Sequence, residues 1–200
     1  MPARHNGPVT SNVRHHRENN LRPHGNKFIH TQGDLDGACF LYSLINASQS
    51  IGKKSFSRTQ WNLMIAQLKN TTDFLRSDIG TAETDEFPSR QEKLANLVLA
   101  TAFPKVAYAA RWISPLSKHS KLETLITQKS SIVLSNKSHW YTVVDVCNDD
   151  LYLACSWRRH DPDVMYKEEE SPRLTRKYNQ ITKRSDLRVF RTRGLQVFMQ

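Results

Sequence analysis

The chain reads as an α+β domain, with helices first and an antiparallel sheet after them. Three observations carry this. Apolar side chains recur at helical spacing in separate stretches between residues 38 and 102. From residue 131 the pattern turns to strands: 132–134, 140–146 and 151–155 are rich in Val, Leu, Tyr and Trp. Finally, Asn148-Asp149-Asp150 is a turn signal between the last two of these runs.

Taken in order, residues 1–26 hold prolines, glycines, histidines and arginines with almost nothing apolar, the composition of a disordered basic arm. The folded domain then runs from 27 to 200. Residues 28–30 are an extended lead-in or short strand. A helix follows over about 38–50, with Phe40, Leu41, Leu44, Ile45 and Ser48 on one broad face and Gly52 at its end. Ser57 or Thr59 caps a second helix, whose stripe is Trp61, Met64, Ile65 and Leu68. Residues 70–89 form a surface excursion. Ser89 and Glu92 form a capping box for a helix over 89–102, stopped by Pro104. Residues 106–108 and 110–113 are short strands or bends, and 120–128 is a short helix. The charged stretch 158–185 is a loop, and 188–190 and 195–198 are the last strands.

Composition narrows the function classes. The apolar fraction is 38% and the formal net charge +10, which favours acidic partners: an acidic protein surface, nucleic acid or an anionic membrane. No apolar run approaches the roughly 18–20 residues of a membrane span. The three cysteines, Cys39, Cys147 and Cys155, make no disulfide framework. Reduced thiols fit the cytoplasm, or a chain delivered into a target cell without a cleaved signal peptide.

The stretch 31–47 stands apart. A loop with two glycines and two aspartates runs into an apolar helix, and Cys39 sits at the junction. The positive end of a helix dipole favours the thiolate, which is the nucleophilic form. A thiol nucleophile needs a base within hydrogen-bond reach and a group to orient that base. Of the eight histidines, five lie in residues 1–30, and His119 and His160 sit in polar loops. Only His139 opens a strand, with Asn136-Lys137-Ser138 leading in and Trp140 beside it. The sequence thus singles out a Cys39–His139 pair. Trp140 and Trp157 then wall a cleft or belong to the core.

A cysteine opening a helix, followed by a histidine opening a β-hairpin, resembles the papain-like cysteine peptidase superfamily. Gln32…Gly37-Ala38-Cys39-Phe40 is similar to its glutamine–glycine–cysteine block, and Ser138-His139-Trp140-Tyr141 to its histidine strand. Cys155-Ser156-Trp157 echoes its Asn-Ser-Trp. The likeness covers residues 31–47 and 131–157 and is nearest to the compact bacterial members. It implies a papain-like fold, with the cysteine helix packed on the sheet, and acyl transfer at a thiol: cysteine protease chemistry on a peptide or isopeptide bond. In its terms Cys39, His139, Gln32 and Cys155 are the catalytic set, and Asp36, Gly37, Trp140 and Trp157 line the substrate. It implies no metal or organic cofactor, and a protein or peptide substrate. Such a chain would suit a bacterial effector or toxin acting on an acidic protein such as ubiquitin.

Two departures stand out. Gln32 lies one residue farther from Cys39 than the family's spacing. Cys155 occupies the orienting position, where the family has Asn or Asp; a thiol is a weak hydrogen-bond partner. Ser156, Asp145 or Asn148 could compensate, although Asp145 lies about 20 Å along an extended strand from His139. Other expectations therefore stand beside the protease: a deamidase or transglutaminase using the same machinery, a papain-like binding module with weakened turnover, or a basic nucleic-acid-binding protein. For the last, residues 173–193 interleave basic and aromatic side chains.

Overall fold

The computed structural model describes residues 29–31, 38–68, 88–113, 120–135, 139–157, 168–189 and 194–200. The expected arm at 1–26 and the excursion at 70–87 lie outside them. Three helices come first: α1 (Cys39–Gly52), α2 (Arg58–Ala66) and α3 (Pro88–Ala102). Then follow β1 (Tyr108–Trp112), a single turn α4 (Leu122–Leu125), β2 (Ser130–Ser135), β3 (Trp140–Cys147) and β4 (Asp150–Ala154). The chain closes with β5 (Glu169–Glu170), β6 (Lys177–Tyr178), β7 (Gln180–Lys183), a 3₁₀ turn over Arg184–Val189, and β8 (Gly194–Met199). The α+β class is what the sequence predicts.

Six strands make one sheet in the order β1-β8-β2-β3-β4-β7, with each neighbouring pair antiparallel. Alternation along the strands gives the sheet two buried faces. Val133, Trp140, Leu195 and Val197 join the helices in the main core. Ile132, Leu134, Val143, Val146, Leu151 and Leu153 face the other way, covered by Ile113, Leu122, Ile126 and Leu174.

Helix α1 is buried along nearly its whole length, and two of its inward serines are satisfied within the helix: Ser48 Oγ donates to the Leu44 carbonyl and Ser50 Oγ to that of Ala47. Its end is not a glycine cap. Lys53 takes the left-handed conformation, φ 49°, and its N–H donates to the Gln49 carbonyl. Gly52 matters for another reason: a Cβ there would lie 1.8 Å from Tyr108 Oη, whose hydroxyl donates to the Ser48 carbonyl at 3.0 Å. The α1–β1 approach requires a bare α-carbon.

Ser57 caps α2 through a full capping box with Gln60. The expected Ser89–Glu92 box involves a side chain outside the described ones; α3 starts at Pro88, and the Glu92 carboxylate accepts the Trp112 N–H at 2.7 Å, holding β1 against α3. Two further expectations are corrected. The stretch 158–185 is not simply a loop, because β7 extends the sheet beside β4 and β5–β6 form a small ribbon. And 188–189 finish a 3₁₀ turn rather than open a strand.

Strand β3 carries a bulge at Val144, between the pairs Val143↔Leu153 and Asp145↔Tyr152. A bulge frees ladder carbonyls and bends the strand. Ser131 Oγ donates to the Val143 carbonyl at 2.7 Å. The buried Arg176 guanidinium donates to the carbonyls of Val144 at 3.1 Å, Ser130 at 2.9 Å, and Thr127. Burial holds Arg176 down at about 10, with Asp145 pulling the other way. The fully buried Asp145 carboxylate accepts the N–H groups of Val146, Arg173 and Leu174. Asp145 is an internal clasp and is not available to orient His139.

Candidate functional site

The first residue of α1 is Cys39, and the residue before β3 is His139. Their relation is set by their chain neighbours. Phe40 and Trp140 pack edge to face with centroids 4.7 Å apart. Farther along, Thr142 Oγ1 donates to the Ser43 carbonyl at 2.7 Å. Matching 40 with 140 and 43 with 142 means that α1 and β3 run in the same sense, with their starting ends together. Cys39 and His139 therefore lie at one end of the α1–β3 pair.

Strand β4 brings the third residue to that end. Thr142 pairs with Ala154, so Cys155 lies just past the ladder, beside the start of β3. Cys155 Sγ is 3.5 Å from His139 Nε2, and the Cys39 thiol is near enough to push the Cys155 pKa upward electrostatically. Cys39, His139 and Cys155 are all buried, and no disulfide joins any of the three cysteines.

Burial dominates the electrostatics here. It pushes His139 down to about 4, so the imidazole is neutral at neutral pH and has a lone pair to accept a proton. It pushes the Cys155 thiol up to about 11, with a Trp157 backbone hydrogen bond opposing and Cys39 adding to the rise. Cys155 is therefore an S–H group, and that proton points at the Trp157 carbonyl, 3.8 Å away. With its hydrogen directed there, the sulfur offers a lone pair to His139. The arrangement favours the tautomer in which Nε2 carries the hydrogen and Nδ1 is left as the acceptor.

The His139 ring is flanked by aromatics. Tyr141 meets it edge-on at 4.6 Å and Trp157 at 6.0 Å. Trp157 is 51% exposed. Trp140 is corrected: at 1% exposure and packed on Phe40, it belongs to the core and cannot line a substrate. Gln32, Asp36 and Gly37 lie outside the described residues.

One residue escaped the sequence reading. The Asn179 side chain accepts the Cys155 N–H at 2.8 Å and donates to the Cys155 carbonyl at 2.9 Å. Asparagine is depleted in strands, and an Asn between β6 and β7 was the only hint available. Among the described residues, no group of His, Cys, Asp and Glu is gathered so as to hold a metal ion, and no helix is long and apolar enough to cross a membrane.

Several described basic side chains of the expected 173–193 stretch are engaged within the protein itself. Lys177 pairs with Glu170, Lys183 with Asp150, Arg184 with Glu123 and Arg173 with Asp145, while Arg176 is buried.

No protein-family model matches this chain, and a search of curated proteins returns no match.

Proposed function

We propose that this chain is a papain-like thiol enzyme that cleaves a peptide or isopeptide amide with Cys39 as nucleophile and His139 as base. The observation that carries the reading is the 3.5 Å contact of Cys155 Sγ with His139 Nε2, made beside the N-terminus of the Cys39 helix. An imidazole held neutral by its surroundings, with one ring nitrogen against the Cys155 thiol, is the form a general base needs.

In the proposed cycle His139 takes the Cys39 thiol proton, and the thiolate attacks the substrate carbonyl carbon. The oxyanion is held by the Cys39 amide, at the positive end of α1, with Gln32 as the second donor. The C–N bond breaks, the amine leaves with the proton from His139, and a thioester remains on Cys39. Water, deprotonated by His139, then releases the acid and restores the thiol. Trp157 offers an exposed apolar wall beside the imidazole for the substrate. The net charge of +10 suits an acidic protein or peptide. Delivery into a target cell as an effector belongs to the same reading, while intramolecular ion pairs along 173–184 count against a nucleic-acid surface.

An activity-based thiol probe on the intact protein tests this. Labelling of Cys39 at neutral pH, abolished in Cys39→Ala and strongly slowed in His139→Ala, is expected. Labelling of wild type only near pH 8.5, as for an ordinary thiol, with no effect of His139→Ala, would leave a binding scaffold.

A further inference from the structure

Cys155 sits one residue beyond β4, where strand pairing on both sides is running out. The β4–β7 ladder ends at Leu153↔Gln180. At that point Asn179 takes over with two kinds of contact. Its backbone N–H donates to the Leu153 carbonyl at 3.0 Å. Its side-chain amide then does for Cys155 what a facing strand residue would, accepting the N–H at 2.8 Å and donating to the C=O at 2.9 Å. A carboxamide matches a peptide group in size and polarity, so the ladder is continued by a side chain.

We infer that Asn179 is a positioning residue for the Cys39–His139 pair, acting through Cys155. The inference rests on the function proposed above. A thiol contact is weak and survives only at close range, so the bond from His139 Nε2 to Cys155 Sγ depends on a rigid Cys155 backbone. Cys155 Cα lies between two groups that Asn179 holds at once, and the thiol is tethered on its other side to the Trp157 carbonyl. Where a papain-like enzyme would place one amide against the histidine, this chain places a thiol there and an amide behind it.

The test uses the full chain. Carboxamidomethylation of Cys39 by iodoacetamide is followed by peptide mass spectrometry from pH 5 to 9, for wild type, His139→Ala, Asn179→Ala and Asn179→Asp. The His139 ring ¹⁵N shifts report its tautomer. Wild type is expected to show Nε2–H. Asn179→Ala is expected to slow alkylation roughly tenfold or more, on the scale of losing an outer supporting contact, and to mix the tautomers. Asn179→Asp, which keeps an acceptor for the Cys155 N–H but loses the donor, should fall between. Gly52→Ala, a destabilised variant at the far end of α1, should leave the tautomer unchanged. An ordinary Cys39 in wild type, indifferent to His139→Ala, overturns the proposed function and this inference together. An activated Cys39 whose pH profile is the same in both Asn179 variants overturns the inference alone. If Asn179→Ala fails to fold, an Nδ1–H tautomer in wild type or an unchanged profile in Asn179→Asp still refutes it.

Discussion

Phe40 and Trp140 meet ring against ring, their planes at 61°, and each is the chain neighbour of one member of the Cys39–His139 pair. This contact fixes the helix start relative to the strand start. Trp140→Ala is expected to cost about 3–5 kcal/mol of stability through cavity formation. Phe40→Leu should cost about 1–2 kcal/mol and slow Cys39 alkylation while the fold persists. Urea unfolding and alkylation at pH 7 check both; unchanged reactivity in a folded Phe40→Leu would mean that the pair does not set the junction.

Cys155 gives the sharpest substitution. Replacing sulfur by an amide oxygen in Cys155→Asn supplies a stronger acceptor for His139 Nε2–H, and Cys39 alkylation should accelerate up to about tenfold, the value of one net hydrogen bond. Cys155→Ala should slow it by a similar factor. A faster Cys155→Ala would show that the thiol hinders the base.

Acid should unfold this protein partly through His139. Its pKa is lowered from 6.5 to about 4, so the unfolded chain binds a proton that the folded chain refuses. Stability is therefore full above the unfolded value of 6.5 and falls as pH drops from there towards 4, by about 3 kcal/mol in all. Burial lowers His30 in the same direction. Urea midpoints at pH 7 and pH 4.5 should converge for wild type and His139→Gln as pH falls; parallel curves would refute the assignment.

Much of this was legible in the sequence, and the misses have physical causes. The stripes of α1 and α2, the Ser57 cap and the 148–150 turn depend on neighbouring residues, so local pattern finds them. What pairs across the chain does not announce itself. Nothing in 194–199 says that this strand inserts between β1 and β2. β7 is short and largely exposed, without the apolar alternation that marks a strand. At the candidate site, position alone marks Cys39 at the helix start and His139 at the strand start, and both lie there. The sequence leaves Trp140 open between cleft wall and core, and its contact with Phe40, remote in the chain, places it in the core. Asn179 acts through geometry that no local pattern encodes.

Arg176 should be indispensable to the bulge. Arg176→Met leaves the carbonyls of Thr127, Ser130 and Val144 without these donors and Asp145 with Arg173 as its remaining partner charge. A loss of about 3–5 kcal/mol is expected from breaking such a buried network. Denaturant titration measures it, and a loss below 1 kcal/mol would show that water replaces the guanidinium.

Gly52→Ala tests the close approach of Tyr108. Helix propensity alone favours alanine by about 1 kcal/mol, yet the new methyl would collide with Tyr108 Oη. A net loss of about 1–3 kcal/mol is expected, partly recovered in Gly52→Ala with Tyr108→Phe. A stabilised single variant would refute the contact.

The insertion of β8 between β1 and β2 has a consequence for the order of assembly. Among the described strands β1 pairs with β8, and β8 follows every other described element in the chain. The β3–β4 hairpin can zip early, carrying His139 and Cys155 to one end, but α1 also rests on β8. The sheet is therefore complete, with β1 and α3 joined to it, only when the last strand arrives. Such long-range closure is slow, of order milliseconds to seconds. In the reading proposed above, the Cys39 helix is incompletely supported until then, because it rests on β8 as well as on β2 and β3.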